Sequence, residues 1–344
     1  MHNVLNTLYV MTPNAYAHLE NATVRIDVER EKRLQVPLHH LAGLVTFGNV
    51  MVSPALIHHL ADEGKSLVLL DEHGRFKARL EGPVSGNILL RQAQHKAAID
   101  PATTLEYARA CVAGKLKNSR VNLQRGAREA GDPEEAAQLT RAADSLAASL
   151  RAAATTSNLD KLRGVEGEAA RGYFAALNHI VKPQMRETFA LDGRTRRPPL
   201  DRFNALISFL YSMLMNDCRS ALEAVGLDPQ LGYLHAVRPG RAALALDMQE
   251  EFRSILADRL ALTLINRGQV TASDFEIREG GAVMLSEKGR RVVVTAWQER
   301  KQEEITHPLL ESKLAIGLLP MIQARLMARA IRGEMEGYLP YTAK

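Results

Sequence analysis

The residue types best suited to chemistry in this chain are one imidazole and three carboxylates. Gly232-Tyr233-Leu234-His235 is followed by Asp247-Met248-Gln249-Glu250, and Gly164-Val165-Glu166-Gly167 lies upstream. Such nitrogen and oxygen donors suit a divalent cation, and a cation so held suits phosphodiester chemistry. Asp247 and Glu250 stand at i and i+3 in Ala242 to Leu264, whose apolar spacing predicts a helix, so both carboxylates project from one face. His235 belongs to a loop bounded by glycine and proline ahead of that helix, and Glu166 must come from another helix.

Taken singly, each residue has a plainer reading. Charged pairs at this spacing are common on solvated helix faces. A loop histidine can act as a cap, and Glu166 near a helix start would favour the helix dipole. However, Leu244, Leu246, Met248 and Phe252 surround the acidic pair with apolar character. A carboxylate pair buried there needs a counter-charge. The histidine pairs His39-His40 and His58-His59 do not face one ligand position, so they read as surface or core residues. Met213 and Met215 read as core, and Asn204 fits either a functional or a buried structural role.

The elements that must position these groups fall into two regions. Up to about residue 82 the pattern is strand-like: 4–10, 16–19, 23–28, 33–36, 43–47, 66–70 and 75–80, with one helix opening at Ser53-Pro54 and running to about Asp62. Gly82-Pro83-Val84-Ser85-Gly86 reads as a linker, followed by a helix over 87–99. Helices are then predicted near 102–128, 133–154, 165–181, 201–225, 243–266 and 308–335, with Asp132-Pro133 as a cap and first-turn signature. Residues 275–297 read as a small hairpin or three-stranded insertion, and the alanine-rich 142–154 as an exposed helical arm. The expected fold is α+β. A small N-terminal β-sheet domain (1–82) precedes a linker and connecting helix (83–100) and a large all-α catalytic domain (101–344) with a β-hairpin insertion.

Composition narrows the class. A chain of 344 residues with 46% hydrophobic and 24% charged residues can bury a sizeable core. Its net charge of +5 favours an acidic partner, while 5% aromatics argues against base-stacking platforms. Two distant cysteines, Cys111 and Cys218, exclude a disulfide framework or cysteine metal site and point to the cytoplasm. No apolar run is long enough to suggest membrane insertion or export.

Four ordered motifs carry a family resemblance. Arg163-Gly164-Val165-Glu166-Gly167-Glu168-Ala169-Ala170, then Pro198-Pro199 with Asp201 and Asn204-Ala205-Leu206, then Gly232-Tyr233-Leu234-His235, then Leu244-Ala245-Leu246-Asp247 with Glu250-Glu251-Phe252-Arg253 resemble the CRISPR-associated adaptation endonuclease and integrase, the Cas one family. The closing Tyr338-Leu339-Pro340-Tyr341 is similar to the type I-C form. The resemblance implies a metal site at Glu166, His235 and Asp247, with Glu250 as an additional catalytic acid and Mg²⁺ or Mn²⁺ as cofactor. Imidazole tilts the preference towards Mn²⁺. It further implies insertion of short DNA fragments, or spacers, into a CRISPR array by attack of a 3′-hydroxyl on a phosphodiester, and endonuclease activity when water attacks. The implied partners are double-stranded DNA, a second copy of the chain and a small ferredoxin-like adaptation protein, itself a dimer. Exposed edges of the β-domain independently favour a homodimer through that domain. The alternative is a catalytically silent DNA-binding scaffold of the same complex. Gln249 and Ala242 depart from the family pattern.

Basic residues flank the motifs: Lys115, Lys117, Arg120, Arg125 and Arg128 on one helix, Lys161 and Arg163 before Glu166, Arg194, Arg196 and Arg197 in one loop, and Arg238 and Arg241 after His235. These would position DNA phosphates rather than read bases.

Overall fold

The computed structural model describes residues 6–74, 76–80, 82 and 88–343. The chain divides into two compact units, residues 1–85 and 86–344. The expected linker lies outside the described residues except for Gly82.

The first unit contains β1 (Thr7–Val10), β2 (Tyr16–Glu20), β3 (Thr23–Val28), β4 (Glu31–Pro37), β5 (Gly43–Phe47), β6 (Met51–Val52), α1 (Pro54–Asp62), β7 (Ser66–Leu70) and β8 (Phe76–Arg79). They form two four-stranded sheets of order β1-β5-β7-β8 and β4-β3-β2-β6. Every residue of β5 is buried, as a central strand flanked by parallel neighbours requires. In β3 the buried Val24 and Ile26 alternate with more exposed neighbours, so one sheet face meets Leu44, Leu56, Leu60 and Leu67 in the core. The α1 start follows its sequence signal: the Ser53 hydroxyl accepts the Leu56 N–H at 3.2 Å, with Pro54 in the first turn.

The second unit contains α2 (Ile88–Ile99), α3 (Pro101–Glu129), α4 (Pro133–Thr155), α5 (Leu159–Leu177), α6 (Pro183–Phe189), α7 (Arg202–Ala224), α8 (Ala243–Glu250), α9 (Arg259–Asn266), β9 (Phe275–Ile277), β10 (Val283–Leu285), α10 (Glu287–Gln302), β11 (Glu304–Thr306), β12 (Lys313–Ala315) and α11 (Leu319–Ile331). Asp100, Asp132, Asn158, Asp201 and Ser286 cap α3, α4, α5, α7 and α10 by accepting backbone N–H groups. The fold is therefore α+β, a β-rich region followed by a helical one carrying small hairpins.

Several expectations are corrected. The helix predicted over 243–266 is interrupted: between α8 and α9, residues Arg253–Asp258 form a π-helical turn, a feature frequent at functional sites. Residues 291–297, read as a third strand, belong to α10, where Val293, Val294 and Trp297 bury one helix face. The helix expected from 308 begins only at Leu319, because 304–306 and 313–315 pair as a second hairpin. The alanine-rich stretch is not an exposed arm, since Leu139, Ala143, Leu146 and Ala153 of α4 are buried against α3 and α5.

Candidate functional site

Asp247 is the most constrained acidic residue at the site. It is fully buried on α8, and its Oδ2 accepts the backbone N–H of Tyr233 at 2.6 Å and of Leu234 at 2.9 Å. Its Oδ1 accepts the His235 N–H at 2.9 Å and lies 2.7 Å from the same residue's Nδ1. Three consecutive peptide donors therefore wrap one carboxylate. Gly232 permits this wrapping, because a Cβ there would lie 2.6 Å from the Ala243 carbonyl carbon and 2.7 Å from Asp247 Oδ2.

The loop bearing His235 is pinned from several sides. Gln94 donates to the carbonyls of Asp228 and Leu231 and accepts the Asp228 N–H. Arg163 Nε donates to the Leu234 carbonyl at 2.8 Å, and the buried Tyr233 ring stacks on Tyr107 with centroids 4.6 Å apart. With Nδ1 committed to Asp247, His235 turns Nε2 toward Glu250, 3.7 Å from its Oε1.

Glu250 is buried and surrounded by cations. Arg253 Nη1 lies 2.9 Å from its Oε1, and Lys115 Nζ lies 2.7 Å from its Oε2. The lysine contact is a close ion pair in which the ammonium also serves as hydrogen-bond donor to Oε2. Burial disfavours the charged carboxylate, but Arg253, then Lys115 and His235, outweigh it and hold the carboxyl well below its ordinary range. Lys115 also contacts Oε1 of Glu166, which projects from the middle of α5. The helix-dipole reading of Glu166 fails for that reason, because α5 begins at Leu159.

Glu166 and Glu250 thus meet at the Lys115 ammonium, His235 approaches the other oxygen of Glu250, and Asp247 stands behind His235. The donor types suit Mg²⁺ or Mn²⁺, and the ammonium already seated between Glu166 and Glu250 marks a place for a cation. Among the described residues no three such side chains stand in ready metal-holding geometry. Lys115 occupies the space between two of them.

The remaining predicted residues separate by environment. Lys117, Lys161 and Arg238 are exposed, Arg120 is half-buried, and Arg125 is exposed and paired with Glu129 at 2.6 Å. Arg241 is held below its ordinary pKa by partial burial and by repulsion from Arg238, and further by Arg197 and Arg196, so these four guanidinium groups form a cationic rim near Asp247. Two expectations of phosphate contact do not fit. Lys115 is enclosed by carboxylates, and Arg194 turns inward to Asn204 Oδ1 at 2.7 Å and Ser208 Oγ at 3.0 Å. Asn204 is fully buried and structural, joining Arg194, Asp201 and the Gly193 carbonyl. Gln249, one of the departures from the family pattern, donates to the Tyr211 carbonyl at 2.6 Å and accepts from Arg253 at 3.1 Å. Arg253, Gln94 and the cationic role of Lys115 were missed by sequence reasoning. The Arg253 position at i+3 from Glu250 was the available signal.

The chain is similar to known proteins in sequence and in fold. The family model described as CRISPR associated protein Cas1 matches residues 8–299. The chain is 53% identical to the CRISPR-associated endonuclease Cas1 1 of Moorella thermoacetica over 341 residues, covering 99% of each. It is 47% identical to the corresponding protein of Chlorobaculum tepidum, covering 98% of each. A solved CAS1 protein from Thermotoga maritima shares the fold with a TM-score of 0.82 at 22% identity, covering 97% of this chain and 98% of that one. A casposase bound to integration product also has a TM-score of 0.82, at 21% identity, covering 97% and 93%. Fold and site define a two-part chain with a buried acid and imidazole centre. The chain belongs to the CRISPR-associated Cas1 endonuclease family.

Proposed function

We propose that this chain is a metal-dependent DNA endonuclease and integrase of CRISPR adaptation. It inserts short DNA fragments into a CRISPR array by attack of a 3′-hydroxyl on a phosphodiester. The observation that supports the reading is that Glu250 lies 3.7 Å from His235 Nε2 and shares the Lys115 ammonium with Glu166 of another helix, while Asp247 orients the imidazole. Glu166, His235 Nε2 and Glu250 would hold the cation. This moves a ligand role from Asp247 to Glu250, and the support is that both Asp247 oxygens already accept peptide N–H groups.

Mg²⁺ or Mn²⁺ bound there would supply Lewis-acid polarisation of the phosphodiester and activation of the attacking hydroxyl. The protein's own contributions are positional. Asp247 fixes the His235 ring so that Nε2 is the free donor atom. Arg253 keeps Glu250 ionised in a buried setting. Arg238, Arg241, Arg196 and Arg197 supply a cationic rim that would seat phosphates beside the site, with Lys117, Arg120, Arg125, Lys161 and Arg163 extending it.

The partners in this reading are double-stranded DNA, a second copy of the chain joined through the β-rich unit, and a ferredoxin-like adaptation dimer. Support comes from a solved Cas6-RT-Cas1–Cas2 complex, whose matching chain gives a TM-score of 0.81 and is 36% covered. The closing Tyr338-Leu339-Pro340-Tyr341 keeps the type I-C form within the proposal. The free, buried Cys111 and Cys218 suit a reducing cytoplasm. No described helix is long and apolar enough to cross a membrane.

The test follows cleavage and strand joining of labelled branched and linear double-stranded DNA, with Mg²⁺, Mn²⁺ or chelator, for wild type, His235→Ala and Glu166→Gln. Turnover by wild type alone, and only with metal, is the expected result. Variants that match wild type would sink it. Binding without turnover in all three, with or without the adaptation partner, would favour the silent scaffold.

A further inference from the structure

Lys115 differs from the other cation at the site in how it is held. Arg253 is fixed on several sides: Nη1 on Glu250, Nη2 on Gln249 Oε1 at 3.1 Å, and its guanidinium 4.9 Å from the Tyr211 ring centroid. The polar partners of Lys115 are the Glu166 and Glu250 carboxylates, which come from α5 and α8. Its helix is not free to shift. The neighbouring Gly114 packs so closely that a Cβ there would lie 2.8 Å from Pro340 and 3.0 Å from Glu251. Three residues after Lys115, Asn118 is fully buried and donates to the carbonyls of Glu251 and Tyr341. Only the flexible four-carbon stem of Lys115 can move.

An ammonium between two carboxylates offsets part of their charge, with half the charge of a divalent cation. A divalent ion bound by Glu166, His235 and Glu250 would stand in the same space, and two cations cannot share it without strong repulsion. We propose that Lys115 is an exchangeable internal counter-ion: it bridges Glu166 and Glu250 in the metal-free protein and is displaced to solvent when the divalent cation binds. The inference rests on the reading that these three residues hold the metal. It gives the chain a way to keep buried carboxylates paired before the cation arrives, since unpaired buried charges are strongly destabilising.

The experiment has two arms on the full chain. In the first, wild-type protein is acetylated with acetic anhydride with and without Mn²⁺, and modification of Lys115 is read by mass spectrometry. Modification should rise several-fold with Mn²⁺ while Lys117, already exposed, stays unchanged. No rise at Lys115 overturns the proposal. In the second, calorimetric titration compares Mn²⁺ binding by wild type, Lys115→Met and Glu166→Gln. Lys115→Met should bind about 10-fold more tightly because no ammonium has to be expelled, and unchanged or weaker binding overturns the exchange. The first arm needs no variant, so misfolding of Lys115→Met leaves the proposal exposed to refutation. If wild type takes up no Mn²⁺, or Glu166→Gln binds it equally well, the metal-site reading itself fails and the exchange falls with it.

Discussion

Asp247 holds His235 twice through one oxygen: Oδ1 lies 2.7 Å from the imidazole Nδ1 and 2.9 Å from the same residue's peptide nitrogen. With a cation bound, Nδ1 would donate to the Asp247 carboxylate and the other ring nitrogen would offer its lone pair to the metal. Asp247→Asn should therefore weaken rather than abolish metal binding, by roughly 10–100-fold, as loss of a ligand-orienting partner does elsewhere. Glu250→Gln should abolish it. Calorimetric Mn²⁺ titration of the two variants separates these roles, and the reverse order of severity would restore Asp247 as the ligand.

Gly232 is required by space rather than by backbone conformation. Gly232→Ala would drive a methyl group against Asp247 Oδ2 and the Ala243 backbone, neither of which is a flexible side-chain end. The expected cost is about 1–3 kcal/mol of stability, as for other overpacked sites. DNA cleavage should fall further than stability alone explains, because the displaced carboxylate releases His235. Thermal melting and nuclease assays on one preparation check both. Full activity at wild-type melting temperature would contradict the packing argument.

Removing the Glu250 charge leaves Arg253 and Lys115 repelling one another, with Glu166 beside Lys115 and Asp258 near Arg253 as remaining acids. A broken buried pair typically costs about 3–5 kcal/mol. Metal-free Glu250→Gln should accordingly melt several degrees below wild type, and chelator should not lower it further. Denaturant titration in EDTA measures the first effect, and an unchanged midpoint would mean the cations are better solvated than their burial implies.

Glu251, one residue on, faces the opposite way. Burial pushes its carboxyl up to about 8, although Tyr338 Oη, the Tyr341 N–H and Gln323 Nε2 donate to it. The native state keeps this proton up to that pH, whereas the unfolded chain releases it in the ordinary carboxylate range. The contribution to stability is therefore full at acid pH and lost as pH rises toward 8, a loss worth several kcal/mol. Glu251→Gln can still accept from Tyr341 and Gln323 with its oxygen and donate to Tyr338 with its amide. Melting temperatures between pH 5 and 9 should fall more steeply for wild type than for the variant up to about pH 8 and run parallel above it, and curves parallel throughout would refute the assignment.

Much of this molecule was legible in sequence where the signal is local. Ser53-Pro54, Asp132-Pro133 and Asp201 mark helix starts because a cap needs only neighbouring residues. The common face of Asp247 and Glu250 followed from helical spacing alone. Long-range partners were not legible. Nothing near Lys115 in sequence announces that Glu166 and Glu250 lie against it, and nothing in residues 253–264 marks the π-helical turn. The Val292-Val293-Val294 run has strand propensity, yet a Ser286 cap and a buried stripe through Trp297 make it helical. Tertiary packing overrides a weak local preference there.

Asn118 adds a temporal dimension to the helical unit. Its side chain is satisfied by the carbonyls of Glu251 and Tyr341 and by the N–H of Ala343, partners 133, 223 and 225 residues further along the chain. During vectorial synthesis α3 emerges long before any of them, and its inner face waits with a buried amide unmatched. The segment 338–343 therefore acts as a closing stitch, so native packing around the acid and imidazole centre is completed late, after the intervening helices have been made. Long sequence separation of this kind slows folding and lengthens exposure of apolar surface. A nascent chain stalled before residue 338 should thus remain a chaperone client even with every catalytic residue already synthesised.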